Sequence, residues 1–450
     1  MKLKMRFLAL IMIVAFLIPM GCRKETRIAP PPIGKNGFLA ALYNAEVPLA
    51  WFKMAISLSL ATPGTTGPVA SRTFGYMGLA LYESVVPGMP DNKTIQHQLN
   101  GLPALPQVDD HKLYYYSISA NAALASMTHH MFGNASAAQN ARIDSLENVF
   151  NTEFKSYLSS QAFDHFVSDD FDRSVKFGQD ISDAIYTWST TDGGDKAYLN
   201  VFPADYVLPV GPGLWVPQPG QAAQHPYWGS NRTFVAGNAT ATQPGPPPPY
   251  STDTASEFYK EELEVYNESI NQDPEHRTIA LYWAAIPPPT VSVSILSAVL
   301  TDKNADLALA AESYCKLGIA ISDAFVSCYR TKYTYNQERP ITFIRANFNP
   351  TWSPLIPTPP FPDYTSAHSV QTGAAARILA DIFGDNTTFT DYSINNLGFT
   401  PRTFTKFSDY ANEVGLSRIY GGIHLRSSDF TGLAQGDKVG QNVSALHWKK

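Results

Sequence analysis

Three short segments in the last third of the chain hold the residues best able to do chemistry. The first is Lys332-Tyr333-Thr334-Tyr335-Asn336-Gln337-Glu338-Arg339-Pro340. Lys332 and Arg339 are seven positions apart, so on a helix they share a face to within about 20°. Pro340 disfavours helical backbone at the residue before it, which predicts that the helix ends by Arg339 and lets the guanidinium turn inward. The second segment is Pro359-Pro360-Phe361-Pro362-Asp363-Tyr364-Thr365-Ser366-Ala367-His368. Its prolines and aromatics make a stiff approach to a helix that Thr365 or Ser366 caps and Gly384 ends. The free N–H groups and the dipole of that first turn suit an anion. His368, in the same turn, is placed to exchange a proton with it. The third segment is Ser417-Arg418-Ile419-Tyr420-Gly421-Gly422-Ile423-His424. A continuous helix would put Arg418 and His424 on nearly opposite sides, and the Gly421-Gly422 pair offers the break that lets both face one point. Taken singly, the segments are a solvated Lys–Arg face, a capped helix and a helix–loop–helix junction. Their chemistry depends on the fold bringing them together.

The elements that must do so are helical. Apolar residues recur at three- and four-residue spacing, as in Leu79, Leu81, Tyr82 and Val85. The pattern predicts helices over Phe38–Leu60, Ser71–Val85, Leu113–Met131, Ser136–Leu158, Phe166–Trp188, Ala255–Ile270, Arg277–Ala285, Ala305–Tyr329 and Ala367–Phe383, with two or three more after Thr403. No convincing series of alternating strands intervenes, so the expected fold class is all-α, a helical bundle. Residues 37–300 form its N-terminal part and residues 301–450 a C-terminal core carrying the three segments, the two integrated in one domain. Residues 196–235, rich in Trp, Tyr, Gly and Pro, read as an ordered loop over the bundle, because Trp and Tyr are costly to leave exposed. Residues 241–250, with Pro246 to Pro249, read as a surface spacer.

Together the three segments resemble the signature of the vanadium-dependent haloperoxidase and type 2 phosphatidic-acid phosphatase superfamily: Lys-x6-Arg-Pro, Pro-Ser-Gly-His and Ser-Arg-x5-His. The first and third match in full; in the second, Thr365 stands for the Pro and Ala367 for the Gly. The resemblance implies a helical bundle of the haloperoxidase and acid-phosphatase type. The large domain with its aromatic loop is similar to the secreted bacterial haloperoxidase-like branch. Lys332, Arg339 and Arg418 are then implied to neutralise the non-bridging oxygens of vanadate or phosphate, a task the forked guanidinium suits. Ser366 and the N–H of Ala367 are implied to donate to the same oxygens. His424 would bond to vanadium or, in a phosphatase, attack phosphorus, and His368 would act as general acid–base. Phe361 and Ser369 are candidates for lining a halide pocket. At 367, a right-handed backbone keeps the N–H on the anion, whereas a positive φ would strain the Ala and compromise the pocket. Its place directly after a cap at Ser366 favours the first.

Three functions are compatible with these residues. One is a haloperoxidase with a vanadate cofactor, acting on hydrogen peroxide and a halide. Another is an acid phosphatase acting on a phosphate ester through a phosphohistidine. The third is a non-catalytic, surface-binding helical lipoprotein with a relic pocket. The exported, large-domain character favours the first. The sequence has no H-E-x-x-H or Cys-x2-Cys pattern for zinc and no G-x-S-x-G nucleophile elbow.

The N-terminus reads as an export signal: Lys2, Lys4 and Arg6 precede an apolar run from Phe7 to Ile18, which at about 12 residues is too short to span a bilayer unaided. Gly21-Cys22 resembles a bacterial lipoprotein cleavage site, although Pro19 stands where such sites usually carry Leu. Residues 23–36 are polar and Pro-rich, as a tether would be. The expectation is an exported protein, held to the membrane through a lipid on Cys22 and facing the periplasm or cell exterior. The formal charge of −6 becomes −9 once Lys2, Lys4 and Arg6 are removed. Such an acidic surface argues against nucleic acid as a partner, and against membrane contact other than the anchor. Cys315 and Cys328 fall on one predicted helix, about 20 Å apart and too far for a disulfide. Both read as buried small apolar residues.

Overall fold

Prolines open many of the helices. The computed structural model describes residues 33–34, 37–160, 168–271 and 273–450; the export signal, Cys22 and most of the tether fall outside these residues. Fourteen helices run through the described residues. They are α1 (Glu46–Ala61), α2 (Gly67–Val85), α3 (Tyr116–Met131), α4 (Ala137–Ser160), α5 (Ser168–Ser189), α6 (Asn238–Ala241) and α7 (Glu257–Asn271). They continue with α8 (Pro274–Ala284), α9 (Pro288–Asp302), α10 (Leu307–Tyr335), α11 (Pro340–Asn347), α12 (Ala367–Phe383), α13 (Phe407–Tyr420) and α14 (Arg426–Ser444). The strands are two antiparallel ribbons, β1 (Ile33–Gly34) with β2 (Gly37–Phe38) and β3 (Phe389–Asp391) with β4 (Arg402–Phe404).

Proline explains the departures from the periodicity reading. Pro has no N–H to give and is tolerated only in a first turn. Pro48 therefore holds the start of α1 at Glu46 rather than at Phe38. The Pro287-Pro288-Pro289 run, which hides α9 from a periodicity search, is in fact its N-terminus. Pro340 similarly starts the short helix α11, with Arg339 as the extended residue before it. In the other direction, α10 runs two turns beyond Tyr329, so that Lys332 lies in its last turn.

Helix α10 lies centrally, packed against α2 on one side and against α12 and α14 on the other. The α12–α14 contact is the tightest next to the three motifs. A Cβ on Gly436 would lie 2.0 Å from the Val370 carbonyl oxygen, and one on Gly373 2.5 Å from that of Leu433. Only glycine lets these backbones meet, which brings the N-terminus of α12, with Ser366 and His368, alongside the N-terminus of α14. Residues Pro31–Lys450 form one compact unit. Cys315 and Cys328 are free and buried. No single helix among the described residues is long and apolar enough to cross a membrane.

The aromatic loop is ordered over the bundle, with Trp215 and Trp228 buried while Val207 and Val210 face outward. Its end is pinned by Asp323 of α10. That carboxylate accepts from the N–H of Phe234 at 2.7 Å, the N–H of Val235 at 3.0 Å and Asn238 Nδ2 at 2.9 Å. Asp323→Ala leaves these three donors buried and unpaired and is expected to cost about 3 kcal/mol or more, read from urea unfolding. Burial raises the Asp323 carboxyl to about 7. Its contribution is therefore fullest below the ordinary carboxylate range and falls as pH rises through about 7, so the gap between the two proteins narrows over that interval. A variant of unchanged stability would mean that Asp323 does not hold the loop.

Candidate active site

Lys332 and Arg339 converge, but not by sharing a helical face. Helix α10 ends at Tyr335, and Asn336, at φ 49°, turns the chain while its N–H bonds the Lys332 carbonyl at 2.8 Å. The turn carries Arg339 back toward Lys332. Lys332 is buried, and Nζ donates to the carbonyls of Pro362 and Asp363, both at 2.8 Å. Arg339, 1 % exposed, donates from Nε to the Phe361 carbonyl at 2.8 Å and from Nη1 to the Ile423 carbonyl at 2.6 Å. Both cations sit over the Phe361 ring, at 4.9 and 5.0 Å from its centroid. Main-chain bonds from Asp363 N–H to the Gln337 carbonyl and from Glu338 N–H to the Gly213 carbonyl, each 2.9 Å, tie this turn to the second motif and the aromatic loop.

The glycine pair breaks α13 as its spacing predicts. Gly422 has φ +79°, the Ile423 N–H bonds the Arg418 carbonyl at 3.1 Å and the Gly422 N–H bonds the Ile419 carbonyl at 2.9 Å. This is a Schellman ending, which needs a left-handed residue at Gly422. Beyond it His424 is buried, with Nε2 3.0 Å from Arg339 Nη1 and Nδ1 2.8 Å from Asp363 Oδ1 and 3.2 Å from Ser428 Oγ. A guanidinium can only donate. Nε2 therefore presents its lone pair, and the ring proton sits on Nδ1 facing Asp363 and Ser428. That is the tautomer a ligand or nucleophile at Nε2 requires.

Arg418 and His368 share a backbone partner from the N-terminal part of the chain. Arg418 Nη1 donates to the Trp283 carbonyl at 3.2 Å, and the backbone of Trp283 is also the hydrogen-bond partner of His368. Trp283 lies in the last turn of α8, where carbonyls have no intrahelical donor. His368 is half-buried, the most open of the motif side chains. Ser366 caps α12, its Oγ accepting from the Ser369 N–H at 3.4 Å. Ala367 opens that helix with right-handed backbone. Ser369 is buried, and its hydroxyl is held by Asp429 Oδ1 at 2.9 Å. Phe361 lies beside two of the cations.

The electrostatics are those of a crowded cationic pocket. Burial, then the neighbouring charges of Arg418 and His424, hold His368 well below its ordinary value; burial and Arg339, Lys332 and Arg418 do the same to His424. Burial lowers Lys332 to about 7 and Arg418 to about 10, with Arg339 adding to both. Both histidines are neutral at pH 7. Two guanidinium donors, Arg339 Nη2 and Arg418 Nε, are buried with no protein partner. Donors left this way are costly unless an acceptor meets them, and a tetrahedral oxyanion beside His424 Nε2 fits them. Sequence reading gave no role to Asp363, Ser428, Asp429 or the Trp283 carbonyl. Asp363 stands inside the second motif and Ser428 one turn after His424, so a signal for both was present. The Trp283 carbonyl leaves no trace in residue type.

Comparison with known proteins decides the family. The description of the VCPO second helical-bundle domain matches residues 312–449. The crystal structure of the first bacterial vanadium-dependent iodoperoxidase superposes with a TM-score of 0.79 and 32 % identity, over 91 % of this chain and 98 % of that one. The chain belongs to the vanadium haloperoxidase superfamily. A bacterial vanadium-dependent chloroperoxidase shares the fold at 14 % identity. Its holo form has a TM-score of 0.63, covering 84 % of this chain and 91 % of that one; its apo form has 0.64, covering 86 % and 97 %. No curated protein sequence matches. In this member of the superfamily, all three motifs meet at one buried point.

Two substitutions test the geometry. Gly422→Ala places a Cβ 2.9 Å from Pro354 Cβ in a left-handed backbone. It is expected to destabilise the protein by about 1–3 kcal/mol and to weaken oxyanion binding by displacing His424; a variant that binds phosphate as wild type does would refute the turn's role. Ala367→Gly is expected to weaken the start of α12 by up to about 1 kcal/mol without raising vanadate affinity. A large gain in affinity would show that Ala367 strains the pocket.

Proposed function

We propose that this protein is a vanadium-dependent haloperoxidase, and that it oxidises a halide with hydrogen peroxide and one proton to hypohalous acid and water. The observation that carries the reading is the pair of unpartnered guanidinium donors, Arg339 Nη2 and Arg418 Nε, around a histidine whose lone pair is at Nε2. His424 Nε2 would hold the vanadium of vanadate. Lys332, Arg339, Arg418, Ser366 and the Ala367 N–H would hold its oxygens. Bound there, vanadate supplies a Lewis acid that activates peroxide toward a halide. The protein's own part is to neutralise negative charge and to move protons. Neutral His368, at the half-open edge of the site, can take a proton from entering hydrogen peroxide and return it to a departing oxygen. Ser428 Oγ, which donates to the Asp363 carbonyl, is left to accept the His424 proton at Nδ1, with the Asp363 carboxylate 2.8 Å away favouring it there. The Phe361 ring offers an apolar, cation-backed wall to a polarisable halide. Iodide is the first halide to try, because the 32 %-identical structure is an iodoperoxidase. The basic and apolar leader ending in Gly21-Cys22 supports export and a lipid anchor.

Purified protein assayed with vanadate, peroxide and iodide or bromide, beside p-nitrophenyl phosphate hydrolysis, distinguishes the readings. Peroxidation is expected, and inorganic phosphate in excess should suppress it by competing for the same donors. Hydrolysis alone would identify a phosphatase, and neither activity a non-catalytic binding protein. Metal analysis separates the histidines. His424→Ala is expected to lose both vanadium and turnover. His368→Ala should keep the metal while turnover falls by about 10²–10⁴. Loss of vanadium in His368→Ala would overturn the assignment.

A further inference from the structure

A line of tyrosines runs from the oxyanion site to the protein surface. Lys332 and Arg339 sit over the Phe361 ring, and the ring of Tyr329 on α10 lies 5.6 Å from Phe361, centroid to centroid. Tyr329 is buried, and it also meets Tyr333, one turn further along α10, at 6.2 Å. Tyr333 meets Tyr206 of the aromatic loop at 5.3 Å, and Tyr206 meets Tyr227 of the same loop at 6.0 Å. Tyr227 is 49 % exposed. The other ring neighbours of Tyr329 are Phe325 and Phe361. A phenyl ring is much harder to oxidise than a phenol, so neither can hold an electron vacancy. Among the described residues, a vacancy on Tyr329 therefore has the tyrosine line as its way out.

Hydrogen bonds give the line a direction. Removing an electron from a phenol makes its proton strongly acidic, so a tyrosyl radical persists where an acceptor takes that proton. Tyr333 Oη donates to the Gln224 carbonyl at 2.7 Å, and Tyr206 Oη to Asn336 Oδ1 at 3.2 Å. Both acceptors are amide oxygens, far too weakly basic to keep a proton. Tyr227 Oη donates at 3.0 Å to Oδ2 of Asp205, an exposed carboxylate that can take the proton and pass it to water. At the inner end, Tyr329 shares the Phe361 ring with two cations, which oppose positive charge there. A vacancy is therefore pushed from Tyr329 and comes to rest on Tyr227.

The site holds a group worth protecting. Cys328, one turn before Lys332 on α10, lies against the second motif, its Sγ donating to the Thr365 carbonyl at 3.4 Å. Oxidation of such a thiol past the sulfenic stage is not reversed. Hypohalous acid and molecular halogen both yield halogen atoms when an O–X or X–X bond breaks homolytically. We propose that Tyr329, Tyr333, Tyr206 and Tyr227 form a one-electron path that drains halogen-atom oxidants from the site to the surface. In the net step a halogen atom at the Phe361 wall takes one electron and becomes halide. Tyr329, Tyr333 and Tyr206 each give an electron and regain one from the next ring outward. Tyr227 gives the last electron, its phenolic proton passes to Asp205, and a phenoxyl radical stands at the surface. A phenol or thiol in solution returns a hydrogen atom to Tyr227, and Asp205 releases its proton to water. This rests on the haloperoxidase reading of the site.

The test is freeze-quench electron paramagnetic resonance on the full-length protein turning over with vanadate, peroxide and iodide. A nitroso spin trap followed by peptide mass spectrometry locates the radical. Neither readout is a rate. Wild type is expected to give a tyrosyl signal and a trap adduct on Tyr227. Tyr206→Phe interrupts the line at its middle and should lose the Tyr227 adduct, with oxidation appearing at Tyr333, Tyr329 or Cys328 instead, while peroxidation starts at the wild-type rate. Tyr333→Phe, expected to lose the same adduct, replaces it if Tyr206→Phe fails to fold. Peroxidation without a tyrosyl radical would overturn the proposal while leaving the haloperoxidase reading standing. A Tyr227 adduct that persists in Tyr206→Phe would overturn it too, by showing that the oxidant reaches Tyr227 through solvent. Absence of peroxidation in wild type would instead remove the haloperoxidase reading and the electron path with it.

Discussion

Lys332, Arg339 and Arg418 are buried within electrostatic reach of one another, and much of the surrounding architecture answers the repulsion among them. Giving each a carboxylate of its own would cancel the positive charge that attracts an anion, and only Arg339 has one within ion-pair reach, Asp363 at 3.6 Å. The fold uses backbone carbonyls instead. Lys332 takes those of Pro362 and Asp363, Arg339 those of Phe361 and Ile423, and Arg418 that of Trp283. A carbonyl dipole solvates a cation without cancelling its charge. The pocket thus stays positive while its side chains stay fixed, which is the preorganisation that oxyanion chemistry exploits.

Supplying those carbonyls requires irregular backbone in the interior. The proline-rich approach to α12 offers its carbonyls because Pro residues have no N–H with which to continue a ladder. The Schellman turn after Tyr420 frees the Ile423 carbonyl for Arg339 and points His424 back at the same spot. Close glycine-mediated packing of α12 on α14 then holds the two helix starts together. Rigid helices position the site, and the breaks between them line it.

What could be read from the residues alone was the helical class and the three motifs, since both rest on side-chain type and spacing. Ala367–Phe383 is predicted to the residue because a cap and a glycine bracket it. α9 and α11 escaped because proline counts as a breaker unless its place in a first turn is recognised. The convergence of Lys332 with Arg339 was legible, but the reason was not: a shared helical face predicts the meeting, and a left-handed turn at Asn336 produces it. No spacing reveals that the hydroxyl of Ser369 is taken by Asp429 on another helix. Partners that are backbone atoms, or side chains far away in sequence, lie beyond pattern reading.

The Trp283 carbonyl bears on modularity. All three motifs lie C-terminal to Ala305, yet the anchor of Arg418 and His368 belongs to α8, 85 residues upstream of His368 and 135 upstream of Arg418. A fragment carrying every signature residue would still lack the group that orients two of them. The chemistry therefore cannot be inherited as a detachable cassette. The docking of α8 on α13 is therefore part of the pocket, and a ribosome-bound chain has no finished pocket until both parts of the bundle have met.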